Sequence, residues 1–356
     1  MDSPNLLVYA GRGSSHSWTW LADLFESNGI FDVRFLDSEE FVNDLTRGPD
    51  VIVVSGGDGF SIALSLAGKG FSELKEFISH GGRYVGICAG AYLPLPSSIA
   101  PFSEFNLSFT KIENIDCNIE PLDNVPPRVA VKYGRCAIVH PVRGEIALEL
   151  GSRKLSAPIY GGPIFREPEE DEVLLRYREF TANTEFQFGK RDAAEIVIGK
   201  PAAIRSRFGK GELLLLGPHL EHPRYSAANA EFLRLLGLTP PARNTSRISR
   251  TNSPLERSLA DLKVAILGLE NRSFVVGKKL WDGSRYLELQ AAIAKRAGTL
   301  SRGLAEEIAV DLELARQNLL SMNVGIETDA DETTSLLVES ARRCVDNHFQ
   351  TLVGSR

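Results

Sequence analysis

Short apolar runs alternate with amphipathic helical patterns in the N-terminal part of the chain. This pattern predicts a βαβαβαβ order, which is typical of a parallel, doubly wound α/β sheet with helices on both faces. Side chains that bind ligands or carry out chemistry gather at the carboxyl ends of the strands in such a sheet. The predicted strands are Leu6–Ala10, Val33–Leu36, Val51–Val54 and Tyr84–Ile87, and the predicted helices are His16–Ser27, Phe41–Leu45 and Phe71–Ser79.

The pattern becomes irregular between residues 94 and 211, where prolines and short alternating runs replace the βα order. We expect this middle region to cover or line the site at the carboxyl ends of the parallel strands. Antiparallel strands are predicted within it, and a fully apolar strand and a helix follow it. These elements are Val173–Arg178, Ala194–Ile198, Ala203–Arg207, the strand Glu212–Leu216 and the helix Arg224–Leu236.

A polar segment with three prolines, residues 239–254, predicts a linker between two domains. We expect residues 1–238 to form the α/β domain and residues 255–356 an all-α helical bundle, self-contained or docked on the first domain. Apolar stripes of this kind are typical of a core, and the alternative is a surface for a protein partner or a second copy of the chain. The predicted helices are Leu255–Leu269, Ser284–Ala297, Ser301–Leu320 and Thr333–Leu352.

The stretch GRYVGICAGAYL, residues 82–93, carries the strongest chemical signal. A buried strand runs directly into Cys88, and small residues then open a helix, which is the pattern of a nucleophile elbow. Gly86 and Gly90 stand where a side chain would collide with the neighbouring strand or helix. A helix N-terminus beside the sulfur favours the thiolate. The pattern predicts Cys88 as a nucleophile, and the alternative is a buried structural cysteine.

A second signal follows the apolar strand Glu212–Leu216, where the sequence continues as GPHLEHP. A histidine just beyond a strand end can take a thiol proton, and a carboxylate two residues on can hold the imidazole in the required tautomer. Alone, His219 would be interpreted as a loop residue. Together with the upstream elbow, the spacing makes Cys88, His219 and Glu221 a candidate catalytic triad.

The glycine-rich loop SGGDGFS, residues 55–61, follows the third predicted strand. Its backbone N–H groups can turn toward an oxyanion, and the amides of Gly57 and Ala89 would supply the two donors that acyl chemistry requires. Such a loop can also cradle phosphate. It lacks the Lys-Ser/Thr ending of a P-loop, so the loop alone leaves both roles open.

These three elements, with GGRYVGICAGAYL as the elbow and KGELLLLGPHLEHP at the end, resemble the class I glutamine amidotransferase-like superfamily. More narrowly, residues 5–238 resemble the amidotransferase-like N-terminal domain of eukaryotic biotin-protein ligases. The segment IYGGPIF, residues 159–165, is similar to a Gly-Gly-aromatic stretch of that group. The resemblance implies a flavodoxin-like, amidotransferase-like fold with Cys88 as nucleophile, His219 as base, Glu221 as its orienting partner and an oxyanion hole at Gly57 and Ala89. The substrate-binding residues that it implies are Gly56, Asp58, Tyr92, Gly161 and Gly162.

Two departures from the amidotransferase pattern bear on the substrate. Glutamine-hydrolysing members usually carry a glutamine where this chain has Tyr92, and a proline where it has Leu220. No GRGRG-type biotin loop follows Leu238. The resemblance therefore implies a cysteine-dependent hydrolase or amidotransferase-like protein that acts on a small amide, and not a biotin ligase. The alternative is a non-catalytic ligand-binding or regulatory module of the biotin-protein ligase N-terminal type, whose helical region binds a partner.

Composition and charge bear on the expected partners, compartment and cofactors of the chain. The net charge of −6 argues against a nucleic-acid or anionic-membrane surface. No signal peptide or apolar run of about 18 residues is visible, so we expect a cytoplasmic protein. The spacing of Cys117, Cys136 and His140 fits no known metal cluster, and we expect neither a metal nor an organic cofactor. Four cysteines without framework spacing suit a reducing compartment, and they are Cys88, Cys117, Cys136 and Cys344.

Overall fold

The computed structural model describes residues 5–119, 129–238, 255–323 and 329–354. The predicted linker, residues 239–254, lies outside these ranges. The described strands are β1 Leu6–Tyr9, β2 Val33–Leu36, β3 Val51–Val54, β4 Arg83–Ile87, β5 Ile115–Asp116, β6 Ala130–Tyr133, β7 Cys136–Val139, β8 Val142–Leu150, β9 Arg153–Ile159, β10 Glu172–Phe186, β11 Pro201–Phe208, β12 Gly211–Leu216, β13 Ser273–Val276 and β14 Lys279–Asp282.

The described helices surround these strands and dominate the C-terminal part of the chain. They are α1 Trp18–Ser27, α2 Ser38–Asp44, α3 Gly59–Leu66, α4 Lys69–Ser79, α5 Ala89–Tyr92, α6 Lys190–Val197, α7 Ser226–Leu235, α8 Leu255–Ile266, α9 Ser284–Arg296, α10 Arg302–Asn323 and α11 Ala330–Gly354. None of the helices in the described ranges is long and apolar enough to span a bilayer.

A nine-stranded sheet runs in the order β2-β1-β3-β4-β12-β11-β10-β8-β9. The first five strands of this order pair in parallel, and the remaining pairings are antiparallel. The predicted α/β fold, a doubly wound parallel sheet followed by C-terminal helices, is confirmed. The elbow strand β4 and the strand before His219, β12, are parallel neighbours, so their carboxyl ends lie side by side.

Both faces of the parallel half are covered, which explains its continuous apolar strands. In β3, Val51 and Val53 enter one hydrophobic core while Ile52 and Val54 enter the other, as a period of two requires. The first core also contains side chains from α8 to α11. The rings of Phe35 on β2 and Phe349 on α11 lie 5.1 Å apart. The C-terminal helices are therefore docked on the sheet.

Two secondary-structure predictions are wrong. Residues 194–198 belong to helix α6 and its end, where Ala193 and Val197 bury one face and Arg191 pairs with Glu195 one turn on. A short apolar run does not distinguish a buried strand from a helix. The C-terminal region is also not entirely helical, because β13 and β14 form an antiparallel hairpin. Its signal was the two-residue Gly277-Lys278 loop between short β-prone runs, with Gly277 at φ 58°.

The cysteines do not all stay unpaired, contrary to the expectation from their spacing. Cys117 and Cys136 form a disulfide that joins the end of β5 to the start of β7. Cys88 and Cys344 are free and buried. The cysteines of this chain therefore give no support to a reducing compartment.

Candidate functional site

Cys88 occupies a strained turn between β4 and α5. Its φ of 53° is the one positive value among the described residues other than glycine, and such strain is typical of functional positions. A Cβ at Gly86 would lie 2.6 Å from the carbonyl oxygen of Gly90, and a Cβ at Gly90 would overlap the carbonyl oxygen of Val54 on β3. These positions require glycine because neighbouring backbone occupies the space that a side chain needs.

His219 and Glu221 follow β12, the parallel neighbour of β4. The amide of His219 donates to the carbonyl of Pro158 at 2.9 Å, which fixes the loop. His219 Nδ1 lies 2.7 Å from Glu221 Oε1, and both side chains are buried. The imidazole also packs edge-on against Trp20, with ring centroids 5.4 Å apart. The ring is therefore held from two sides, and its Nε2 is left for the cysteine.

Cys88 and His219 shift each other's pKa toward the charged forms, thiolate and imidazolium. Burial raises the pKa of the Cys88 thiol, but the charge of His219 and a hydrogen bond from it outweigh burial and leave that pKa below its ordinary value. Burial lowers the pKa of His219, but Glu221 and Cys88 outweigh it and raise that pKa above its ordinary value. Helix α5 spans one turn, so His219 accounts for the lowered pKa of Cys88 better than a helix dipole does.

The backbone amides of Gly57 and Ala89, the two predicted oxyanion donors, differ from the neighbouring amides in their hydrogen bonding. The amide of Asp58 donates to the carbonyl of Gly13 at 2.8 Å, and the amide of Gly90 donates to the carbonyl of Ser55 at 3.2 Å. No acceptor for the amides of Gly57 or Ala89 is found within the described ranges. Both amides remain able to bind an external oxygen.

Cys88 faces a small cavity of about 50 Å³. Three cations line it that the sequence reasoning missed: Arg143 from β8, Lys279 from β14 and Arg285 from α9. They come from separate segments, so no local motif indicates them. The full lining is Ser15, His16, Ser17, Trp20, Gly56, Gly57, Cys88, Arg143, Tyr160, His219, Lys279, Leu280, Trp281 and Arg285.

The predicted substrate-binding residues are not all brought together. Gly56 lines the cavity. The carboxylate of Asp58 instead caps α3 and accepts a 2.8 Å hydrogen bond from the amide of Lys278. The hydroxyl of Tyr92 donates to the carbonyl of Gly161 at 3.1 Å, and Gly162 packs against the backbone of Gly217. Asp58, Tyr92, Gly161 and Gly162 are not among the described residues that line this cavity.

The described residues contain no group of three or more His, Cys, Asp or Glu side chains arranged to hold a metal ion. Of the three residues weighed as metal ligands in the sequence, Cys117, Cys136 and His140, the two cysteines form a disulfide with each other. Both ring nitrogens of the buried His140 lack a partner in the described part of the chain. Burial, followed by the charges of Lys279 and Arg143, holds the pKa of His140 well below its ordinary value.

Residues 4–103 match the family described as biotin-protein ligase, N terminal. An uncharacterised protein of Chlamydia muridarum (strain MoPn / Nigg) is 27% identical over 256 residues, which cover 65% of this chain and 86% of the relative. A solved glutamine amidotransferase gives a TM-score of 0.39 at 19% identity, covering 66% of this chain and 100% of its own. A beta-galactosidase from Bacillus circulans sp. alkalophilus gives a TM-score of 0.37 at 15% identity, covering 68% of this chain and 33% of its own.

The resemblance to the N-terminal domain of biotin-protein ligases is thereby confirmed over residues 4–103. Cys88 lies inside the matched segment, whereas His219, Glu221 and the cations Lys279 and Arg285 lie beyond it.

Proposed function

We propose that the protein is a cysteine-dependent amidohydrolase of amidotransferase-like type, acting on a small amide through Cys88, His219 and Glu221. The observation that carries this proposal is the buried 2.7 Å contact of His219 Nδ1 with Glu221, which turns the other ring nitrogen toward a strained, acidified cysteine. This is the arrangement that activates a thiol for acyl transfer.

In the proposed reaction, the Cys88 thiolate attacks the amide carbonyl and a C–S bond forms. The carbonyl oxygen becomes an oxyanion that accepts hydrogen bonds from the amides of Gly57 and Ala89. The His219 imidazolium then gives its proton to the leaving nitrogen as the C–N bond breaks. Water, deprotonated by His219, attacks the thioester, releases the acid and restores the thiol.

Tyr92 argues against free glutamine as the preferred substrate. Its hydroxyl is tied to Gly161 and accepts a 2.9 Å hydrogen bond from Asn114 Nδ2. These bonds fix the phenol, which stands at the position where the superfamily pattern has a glutamine side chain. We expect weak release of ammonia from glutamine and faster turnover of a smaller amide.

A second candidate function is a non-catalytic ligand-binding or regulatory module. The small volume of the cavity favours it, since Lys279 and Trp281 of the β13–β14 hairpin line the same cavity as Cys88. The two candidates differ in whether the sulfur forms a covalent intermediate.

The test is ammonia release from a panel of small amides, with intact-mass detection of an acyl-enzyme. Wild-type protein and the Cys344→Ala control should turn over at least one amide, whereas Cys88→Ala should not. Equal activity in Cys88→Ala would overturn the proposal. Binding of an amide by wild-type protein without turnover or adduct would favour the regulatory module.

A further inference from the structure

Three cationic side chains converge on the cavity that contains Cys88. The guanidinium carbons of Arg143 and Arg285 lie 5.7 Å and 6.0 Å from the ring centroid of Tyr160. Lys279 lines the same cavity from the hairpin. Because Tyr160 also packs 5.6 Å from the ring of His219, the positive charges stand beside the reacting groups.

These cations have few anionic partners. Within the described ranges, Arg143 and Lys279 form no ion pair, and Arg285 reaches only Asp282, at 3.6 Å. Arg285 Nη1 also lies 3.3 Å from His16 Nδ1, and its Nε is buried without a partner among the residues that the structure describes. A half-buried cation without a counter-charge is costly. Burial and the charge of Arg285 lower the pKa of Arg143, in keeping with this repulsion.

An anion in the cavity would relieve this repulsion and receive charge-assisted hydrogen bonds. Planar guanidinium groups match a carboxylate in geometry. The volume of about 50 Å³ suits a compact anion more than a nucleotide. A substrate whose amide lies at Cys88 and whose other end is a carboxylate would satisfy both parts of the cavity.

We infer that Arg143, Lys279 and Arg285 bind the carboxylate of a small amide substrate, so that the C-terminal hairpin and α9 supply part of the substrate site. The reacting amide rests on the proposed function, but carboxylate binding does not require chemistry. The β13–β14 hairpin and α9 then act as a specificity element for a site whose nucleophile, Cys88, lies in the segment 4–103.

The experiment measures binding to the Cys88→Ala protein, where no turnover can occur. The probes are oxamate, malonamate and succinamate, each compared with its neutral diamide. We expect at least one acid amide to bind about tenfold or more tightly than its diamide. Lys279→Gln or Arg143→Gln, added to Cys88→Ala, should remove this preference.

Lys278→Gln is the matched control. Lys278 lies on the same hairpin, but its ammonium stacks over Phe60, 3.8 Å from the ring centroid, and it does not line the cavity. The preference should survive in Lys278→Gln. Melting temperatures of all variants identify any that fails to fold, and Arg143→Gln and Lys279→Gln serve as independent substitutions.

Equal binding of the acid amides and their diamides would overturn the inference. So would an equal loss of preference in Lys278→Gln and Lys279→Gln, or tighter binding of inorganic phosphate than of every acid amide. Failure of the proposed function gives a different result, because an inert Cys88 abolishes turnover and leaves the carboxylate preference in the Cys88→Ala protein unchanged.

Discussion

The indole N–H of Trp20 donates a 2.7 Å hydrogen bond to Glu288 Oε2, which joins α1 to α9 beside the candidate site. Two turns further along α9, Arg296 donates to Glu26 and Asp23 on α1, at 2.6 Å and 2.7 Å. Helix α9 is thus fixed at both ends of the contact. The hairpin precedes α9 in the chain and lines the cavity of Cys88, so we expect these contacts to govern access to Cys88.

Replacing Arg296 should loosen this cover. Arg296 is buried, so Arg296→Met removes two charge-assisted hydrogen bonds and should lower the free energy of unfolding by about 2 kcal/mol. Lys295 pairs with the same carboxylates but is half exposed, and Lys295→Met should cost less than about 1 kcal/mol. Chemical denaturation measures both, and a bulky maleimide should label Cys88 faster in Arg296→Met. Equal losses would mean that the buried guanidinium has no special part in docking.

Glu221→Gln should return the pKa of His219 toward its ordinary value, since the carboxylate that raises it is gone. The imidazolium that pairs with the Cys88 thiolate is then lost at a lower pH. Amide turnover should fall by roughly 10³-fold or more, as when the acid of a catalytic triad is neutralised. Nitrogen NMR of labelled histidine measures the pKa directly.

Glu231→Gln is the control for that substitution. Glu231 is also buried but pairs with Arg234 on α7, away from the cavity. Its loss should leave the titration of His219 unchanged. A His219 titration that is the same in wild-type protein and Glu221→Gln would contradict the role given to Glu221.

Gly56→Ala should displace the imidazole without unfolding the chain. An added Cβ would lie 2.9 Å from His219 Cε1 and 3.0 Å from Ser17 Oγ. Relieving such overlap costs about 1–3 kcal/mol, and we expect alkylation of Cys88 to slow about tenfold. In Gly59→Ala the nearest atoms are 3.8 Å away, so its rate should match wild type. Comparable slowing in both variants would point to a general effect on the loop.

The parallel strands could be predicted because each is a short apolar run. The positions of Cys88, His219 and Glu221 could be predicted because these residues stand in local patterns just after such runs. The cation cluster could not, since Arg143, Lys279 and Arg285 meet only in the folded chain. The hairpin was missed because its strands, SFVV and KLWD, have four residues each, which is too few to establish a periodic pattern. The contact of the C-terminal helices with β2 also depends on tertiary packing, which helical stripes do not specify.

The most direct test of the central claim is the pH dependence of Cys88 alkylation by iodoacetamide, followed peptide by peptide. A lowered pKa keeps the thiolate as pH falls, so wild-type Cys88 should react at pH 7 far faster than an ordinary thiol, which is about 1–3% thiolate there. Cys344, whose pKa burial raises to about 12, is the internal control and should stay unreactive. His219→Ala should bring the Cys88 profile to that of an ordinary thiol. A wild-type rate that falls tenfold per pH unit below 8, as in His219→Ala, would contradict an activated cysteine.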